Sequence, residues 1–274
     1  MRDRRVDHWK LSAAVLGLVA GVAHGAEGQF DCLIEPSKLI VVRSPVIGVI
    51  DRMFVSRGSN VHEGDPLVRL DSTVESAAVA LAAYKEKMVG QERSAESRLQ
   101  HAEGKARRKA DLETSNFASA QDRDDAEADA AIARADVLAA HELQDVAKLE
   151  HAYAASQLGL RLIRSPIDGV VVDQAMNAGD LAQPGDSNTF ILKLAQIDVL
   201  RVKAIVPLAY YPRIKPQQHA DVVPESPLQG HYSATVTVVD KVIDAASGTF
   251  QVRMDLPNPK NALPAGLRCT VKLW

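Results

Sequence analysis

The strongest constraint on the fold is a motif that occurs twice. A long segment of different composition separates the two copies. The segment VVRSPVIGVI at residues 41–50 recurs as LIRSPIDGVV at residues 162–171, a displacement of 121 residues. The same displacement superimposes three pairs of glycines without a gap: Gly48, Gly58 and Gly64 on Gly169, Gly179 and Gly185. Glycines at fixed places imply fixed turns or close backbone approach, and the residues between them alternate or are β-branched, as in strands. Each copy is therefore predicted to be half of a small β-sandwich with pseudo-two-fold symmetry.

The segment between the copies, residues 72–160, has the composition of long helices. It contains no proline and only three glycines, and it is rich in alanine and in charged helix formers. Apolar residues recur at heptad-like spacing, which predicts an antiparallel coiled-coil hairpin of two helices of about 40 residues each. Its tip is expected at residues 113–120, where polar residues interrupt the pattern and Ser119 can cap the second helix. Many seam positions are alanine, which predicts close packing of the helices. The predicted seam residues are Val74, Leu81, Met88, Ala95 and Ala102, with Ala78, Leu99 and Ala106 on a second line, then Ile132, Ala139, Leu143, Val146, Tyr153 and Leu160.

The last segment, residues 195–274, differs again from the rest of the chain. It has eight prolines and alternating stretches such as YSATVTVVDKVI, which predict a small antiparallel β-barrel. Residues 26–40 are expected to be a leader strand that joins this barrel. The predicted fold class is α+β and multidomain: a sandwich split into residues 41–71 and 161–194, the inserted hairpin, and the barrel.

The first 25 residues are typical of a cleavable signal peptide. A basic start is followed by an apolar run at residues 11–23, and then by small residues at Ala23 and Gly25. Such a run is shorter than the roughly 20 residues that a membrane-spanning helix needs. We therefore expect export to the periplasm, with an uncleaved N-terminal anchor as the alternative.

Export gives the two cysteines a meaning, because disulfides persist in an oxidising compartment. Cys32 and Cys269 lie at the two ends of the mature chain, in segments that the predicted layout places in the same barrel. A disulfide between them is the favoured prediction, and two separate buried thiols are the alternative.

The chemistry of common enzymes and nucleic-acid-binding proteins is not found in the sequence. The nucleotide-binding, hydrolase and metalloprotease motifs are absent, and the net charge of −3 does not suggest a nucleic-acid partner. The eight histidines are scattered, and His141 and His151 are too far apart on one helix to share a metal ion. No catalytic residue, cofactor or metal site is predicted, so we expect a protein that is not an enzyme.

The order of these parts resembles the periplasmic adaptor proteins, also called membrane-fusion proteins, of tripartite efflux pumps and type I secretion systems. The segments SPVIGVIDRMFVSRGSNVHEGDPLVRLD and RSPIDGVVVDQAMNAGDLAQPGD resemble the halves of a lipoyl-like domain, whose turns the six repeated glycines would form. LPAGLRCTVKL resembles the closing strand of the family's barrel. The resemblance implies a non-catalytic subunit, associated peripherally with the inner membrane, that links an inner-membrane transporter to an outer-membrane channel. The transporter would be of the resistance-nodulation-division or ABC type, and the adaptor a homo-oligomeric ring, usually of six.

A finer resemblance lies at the predicted hairpin tip. In many adaptors an arginine, a leucine four residues later and a serine seven further on face the outer-membrane channel, and Arg108, Leu112 and Ser119 have this spacing. Asp129 occupies the position of an acidic residue sometimes counted with them. The alternative is an ordinary solvated helix face. Charged residues on the flanks are expected to pair with a neighbouring copy, namely Arg93, Glu96, Arg107 and Arg134.

Two further functions fit parts of the pattern. The chain could be a free-standing exported binding module that uses its coiled coil for another partner. It could also be a lipoyl or biotin carrier subunit, but the helical hairpin replaces the turn on which such a carrier presents its lysine.

Overall fold

The computed structural model describes residues 28–185, 189–228 and 230–273. The chain divides into two compact units. Among the described residues, the first comprises residues 28–35, 201–257 and 266–273, and the second comprises residues 36–200 and 258–265. The predicted signal peptide at residues 1–25 lies outside the described residues. Among the helices of the described ranges, none is long and apolar enough to cross a membrane.

The strands of the described residues are numbered along the chain. They are β1 (Gln29–Val42), β2 (Gly48–Met53), β3 (Asn60–Val61), β4 (Pro66–Leu70), β5 (Leu162–Arg164), β6 (Gly169–Gln174), β7 (Leu181–Ala182), β8 (Leu192–Pro207), β9 (His219–Pro224), β10 (Tyr232–Val239), β11 (Thr249–Pro257) and β12 (Leu267–Lys272).

The first unit is a closed antiparallel barrel. Its strands follow the order β1-β12-β9-β10-β11-β8, and an additional pairing of β1 with β8 closes the sheet. Alternation along β11 turns Phe250, Val252 and Met254 into the interior, as expected for strands with one buried face. Cys32 of β1 lies directly opposite Cys269 of β12, and the two form a disulfide with a Cα–Cα distance of 4.8 Å.

The second unit contains the predicted sandwich, and its hydrogen bonds repeat with the displacement of the sequence motif. Gly48 pairs with Ala182 between β2 and β7, while Gly169 pairs with Val61 between β6 and β3, so each residue is replaced by its mate 121 positions away. Gly58 N–H likewise donates to the Val171 carbonyl at 2.8 Å, and Gly179 N–H donates to the Ile50 carbonyl at 2.8 Å. The pseudo-two-fold sandwich and the predicted fold class are therefore confirmed.

The six repeated glycines fall into two structural types. Four occupy turns with φ between 88° and 97°, a region that favours glycine: Gly58, Gly64, Gly179 and Gly185. Gly48 and Gly169 instead begin β2 and β6, where the missing side chain allows close packing. A Cβ built on Gly169 would lie 2.4 Å from the Ala195 carbonyl oxygen.

The hairpin contains three helices rather than the two that the sequence predicts. They are α1 (Thr73–Glu86), α2 (Gly90–Thr114) and α3 (Ala120–Gly159). The outgoing arm is interrupted at residues 87–89, where α2 begins after Val89 without a side-chain cap and with Gly90, a poor helix former, in its first position. The returning arm α3 is unbroken over 40 residues.

The seam between the arms is formed by alanines, which agrees with the predicted close packing, but most of the individual residues predicted for it were wrong. The buried helical residues are Ala82, Ala95, Ala126, Ala130, Ala133 and Ala140. Of the predicted seam residues, all of which the structure describes, Ala95 alone is buried. Alanine methyl groups allow two helices to approach closely, and a larger side chain in the seam would hold them apart. Large apolar residues therefore lie on the outer faces, among them Leu81, Met88, Ile132, Leu143 and Tyr153.

Candidate docking site at the hairpin tip

The end of α2 closes in a defined turn. Asn116 adopts the left-handed conformation with φ of 57°, which asparagine tolerates better than most residues. The Phe117 N–H donates to the Leu112 carbonyl at 2.8 Å, and the Asn116 N–H donates to the Glu113 carbonyl at 2.9 Å. These two bonds are the Schellman arrangement, which satisfies carbonyls that a helix end leaves without partners. The tip is thus a specified turn rather than a frayed end.

The start of α3 is fixed by a capping box. The Asp122 N–H donates to Ser119 Oγ at 3.1 Å, and the Ser119 N–H donates to Asp122 Oδ2 at 3.2 Å. The Ser119 hydroxyl also donates its proton to Asp122 Oδ2 at 2.8 Å. A hydroxyl has one proton and two lone pairs, so a single lone pair of Ser119 remains for a partner.

Asp122 also binds the neighbouring arm, which links the cap to α2. Lys109 Nζ lies 3.2 Å from Asp122 Oδ1. The hydrogen bonds from Ser119, assisted by Lys109, hold the pKa of Asp122 below its ordinary value of 3.8. The charged form of this carboxylate is therefore part of the folded tip.

Acidification is expected to open the capping box at low pH. Because the folded pKa of Asp122 lies below the unfolded one, its stabilisation is present above about pH 4 and is lost as the pH falls through the folded pKa. The amide resonances of Ser119 and Asp122, followed by NMR, should stay in place between about pH 7 and 5 and move together below about pH 4. Other carboxylates titrate nearby, so Asp122→Asn is the control and should abolish the joint movement. A joint movement that persists in Asp122→Asn would contradict this assignment.

The structure brings Arg108, Leu112 and Ser119 to the tip. Arg108 and Leu112 lie one turn apart on the same face of α2, and both are exposed. No carboxylate of the described residues forms an ion pair with the Arg108 guanidinium, so its planar set of donors can bind a partner. Their role in docking remains a prediction.

Asp129 lies farther from the turn than Leu112 and Ser119, opposite Lys105, which precedes Arg108 by three residues on α2. It lies ten residues beyond Ser119, about 15 Å along the axis of α3. Its carboxylate forms an ion pair with Lys105 Nζ at 2.8 Å, and this contact raises the pKa of Lys105. Asp129 therefore joins the two arms of the hairpin.

Cross-arm ion pairs follow the hairpin. Arg134, one of the residues proposed to pair with a neighbouring copy, binds Glu103 within the hairpin through its Nη2 at 2.8 Å. The lysine and arginine pairs between the arms include Lys85–Glu150, Glu103–Arg134, Lys105–Asp129, Lys109–Asp122 and Glu113–Arg123. Such exposed pairs contribute little individually, but together they favour one alignment of the arms.

Sequence reasoning missed the most exposed apolar side chain of the tip. Phe117 follows the turn residue Asn116, and 81% of its surface is exposed. Leu112, to whose carbonyl its N–H is bonded, is 43% exposed. The signal was present in the sequence, since an aromatic residue inside the polar segment TSNFAS is unusual in a chain with only 4% aromatics. Arg108, Leu112, Phe117 and Ser119 are called the tip residues below.

A split sandwich interrupted by a helical hairpin, together with a closed barrel, defines the architecture of a membrane fusion protein. The family model described as "RND MFP, barrel-sandwich hybrid domain" matches residues 38–194. A second model, described as "CusB-like, beta-barrel domain", matches residues 201–274. The chain belongs to the RND membrane fusion protein family, which confirms the resemblance found in the sequence.

Several proteins of known structure or sequence are similar to this chain. MacA from Actinobacillus actinomycetemcomitans has a TM-score of 0.76 at 22% identity, covering 90% of this chain and 80% of MacA. The membrane fusion protein Spr0693 from Streptococcus pneumoniae R6 has a TM-score of 0.64 at 15% identity, covering 90% of this chain and 98% of Spr0693. An uncharacterized protein of Haemophilus influenzae is 24% identical over 221 residues, which are 81% of this chain. The chain spans about half the length of this curated relative.

Proposed function

We propose that the protein is a periplasmic adaptor subunit that links an inner-membrane transporter to an outer-membrane channel for efflux or secretion, and that it has no catalytic role. The proposal rests on the exposure of apolar side chains at the hairpin tip. Two apolar side chains, Leu112 and Phe117, are exposed there on a capped turn rather than buried. Apolar anchors on a preorganised surface, surrounded by polar groups, are what a protein partner can bury.

The geometry of the hairpin supports a bridging role. With a rise of about 1.5 Å per residue, the 40 residues of α3 carry the tip roughly 60 Å away from the sandwich. The arms are held together by an alanine seam and by cross-arm ion pairs. A slender arm of this kind can present a small docking surface far from the domain that anchors it.

The outer faces of the arms support assembly into a homo-oligomeric ring. Large apolar residues are exposed along α1 and α3, and Leu81 and Tyr153 are each at least 60% exposed. Large apolar surfaces left exposed on a soluble protein commonly mark interaction sites. Identical hairpins standing side by side would cover these residues, with Arg93 and Arg107 as charged partners in the contact.

The remaining parts of the proposal concern location and the second partner. Residues 1–25 would direct export and be cleaved, which would leave a periplasmic protein held at the inner membrane by its transporter. The family description names the RND class, which favours a resistance-nodulation-division transporter over an ABC transporter. The disulfide between Cys32 and Cys269 is consistent with an oxidising compartment.

In vivo cysteine crosslinking from the tip tests the proposal. Both native cysteines are engaged in the disulfide, so Ser115→Cys would introduce the one reactive thiol. We expect a specific crosslink from this residue to one outer-membrane channel protein. Adding Leu112→Glu should reduce the crosslink at least about tenfold, because a charge would replace an apolar anchor at the interface.

The matched control is Val242→Glu, which makes the same change at an exposed barrel residue far along the chain from the tip. It should leave the crosslink intact. If Ser115→Cys is exported and folded but captures no channel protein, the adaptor role is wrong. The free-standing exported binding module then becomes the better hypothesis. Crosslinking that survives Leu112→Glu and the same change at Phe117 would show that the tip residues are not the docking surface.

A further inference from the structure

Three metal-ligating side chains meet across the two arms of the hairpin, well away from the tip. Glu92 and Glu96 lie on α2, and His141 lies on α3. One ligand atom from each of the three lies within 4.8 Å of the other two. His141 Nε2 is 3.2 Å from Glu92 Oε1. Within the part of the chain that the structure describes, this is the one group of three such residues so placed.

The convergence follows from the alanine seam. Glu92 and Glu96 are four residues apart, so their side chains share one face of α2. Ala95 is buried between the arms, and Ala140 is buried opposite, which puts Glu96 and His141 at the edge of the seam. Two alanines at the contact allow the helix backbones to approach closely. Side chains at the edge of the seam can then meet across the two helices.

The donor set suits a divalent transition metal ion. One imidazole nitrogen and two carboxylate oxygens are common ligands of Zn²⁺, and three protein ligands leave a fourth position for water. Calcium and magnesium prefer larger sets of oxygen ligands. Zinc–ligand distances of about 2.0–2.2 Å require the three atoms to draw together slightly, which partly exposed glutamate side chains can do by rotating.

The two carboxylates of the cluster provide negative charge for a cation, and Lys148 is the one lysine of α3. Its ammonium binds Asp145 at 2.8 Å and is thereby committed to another carboxylate. Asp145 holds the pKa of Lys148 above its ordinary value, and Glu86 and then Glu92 add smaller contributions. Glu92 and Glu96 place two carboxylates beside His141, and a divalent ion would neutralise their charge.

We propose that Glu92, Glu96 and His141 form a binding site for a divalent transition metal ion, with Zn²⁺ as the expected ligand. The site would join α2 to α3 one turn beyond the interruption at residues 87–89. Since α2 begins there without a side-chain cap, the metal ion would fasten the start of this helix to the unbroken arm. The inference does not depend on the adaptor function.

Metal titration of the full chain tests the site. The purified protein, without a polyhistidine tag, is treated with a chelator and titrated with Co²⁺ and then Zn²⁺. We expect visible absorption bands of protein-bound Co²⁺ that one equivalent of Zn²⁺ removes. His141→Ala should weaken Zn²⁺ binding on the order of 100-fold, since even partners behind the ligands change metal affinity by about 10–100-fold. Glu92→Gln and Glu96→Gln should each weaken it at least about tenfold.

His101→Ala is the matched control, since His101 is an exposed histidine on α2 outside the cluster. It should bind Zn²⁺ like the parent protein. As a second readout, Zn²⁺ should slow amide exchange at residues 87–95 in the parent and in His101→Ala, but not in His141→Ala. Zn²⁺ binding that is undetectable in the parent, or equal in His141→Ala and the parent, would overturn the proposal. Equally tight binding of Ca²⁺ would show a simple acidic patch and would also overturn it.

Discussion

Removing the disulfide, by replacing both Cys32 and Cys269 with alanine, is expected to destabilise the barrel by about 3–5 kcal/mol. The two cysteines are 237 residues apart in the sequence, and a crosslink that closes so long a loop restricts the unfolded chain strongly. In the folded barrel they are a directly opposed pair of β1 and β12, and both are buried. Loss of the bond leaves β1 to be held in the barrel by its strand pairing and packing alone.

The effect is best measured separately for each strand of the barrel, because a chain with two compact units need not unfold in a single step. Amide exchange followed by mass spectrometry should show faster exchange in β1, β12 and the neighbouring strands. The parent protein treated with a reductant should behave like the double alanine variant. The reductant should have no further effect on that variant, which contains no cysteine. Unchanged exchange in the barrel of the reduced parent would refute the expectation.

Gly169→Ala and Gly48→Ala should have unequal effects, although the two glycines are pseudo-symmetric mates. A Cβ on Gly169 would lie 2.4 Å from the carbonyl oxygen and 3.0 Å from the carbonyl carbon of Ala195. These are backbone atoms of β8, the strand that pairs with β6. Since the strands themselves must move, we expect a loss of about 2–3 kcal/mol in the free energy of unfolding.

A Cβ on Gly48 would instead meet Nη1 of Arg161 at 2.6 Å, which is the end of a flexible side chain. The guanidinium can move at the cost of its hydrogen bond to the Ile47 carbonyl, so we expect a loss nearer 1 kcal/mol. Gly159→Ala, where a Cβ has no neighbour within 4 Å, serves as the control for the substitution itself. Amide exchange in the strands of the sandwich, measured at increasing denaturant, compares the three variants directly. Equal losses for Gly169→Ala and Gly48→Ala would contradict the argument.

The sandwich was predictable because a repeat carries its own alignment. A displacement that superimposes Gly48 on Gly169 and Gly58 on Gly179 also predicts which strands are equivalent, and the pairings β2–β7 and β3–β6 follow that rule. The turn at the tip was predictable for a local reason. Ser119 followed by acidic residues is a helix start whatever the rest of the chain does.

The seam was not predictable to the same degree, since periodicity shows that a helix has an apolar face but not which of two stripes its partner covers. Leu81 and Met88 have the right spacing, yet they are exposed, while Ala82, which is adjacent to Leu81, is buried. The meeting of Glu92, Glu96 and His141 depends on the same alignment of the arms. Residue spacing along a single helix cannot reveal a cluster whose members lie on two helices.

The way the hairpin is attached to the sandwich has a consequence for how such a protein can change over time. The hairpin leaves after β4 and returns at β5, and these two strands are direct neighbours, with Arg69 opposite Leu162. The sandwich therefore meets the same two chain ends whatever the length of the arms. Matched insertions of seven residues in both arms would lengthen the reach by about 10.5 Å each while keeping the seam in phase. The arm is in this sense an adjustable spacer, whose length can be fitted to a distance without altering the domain that carries it.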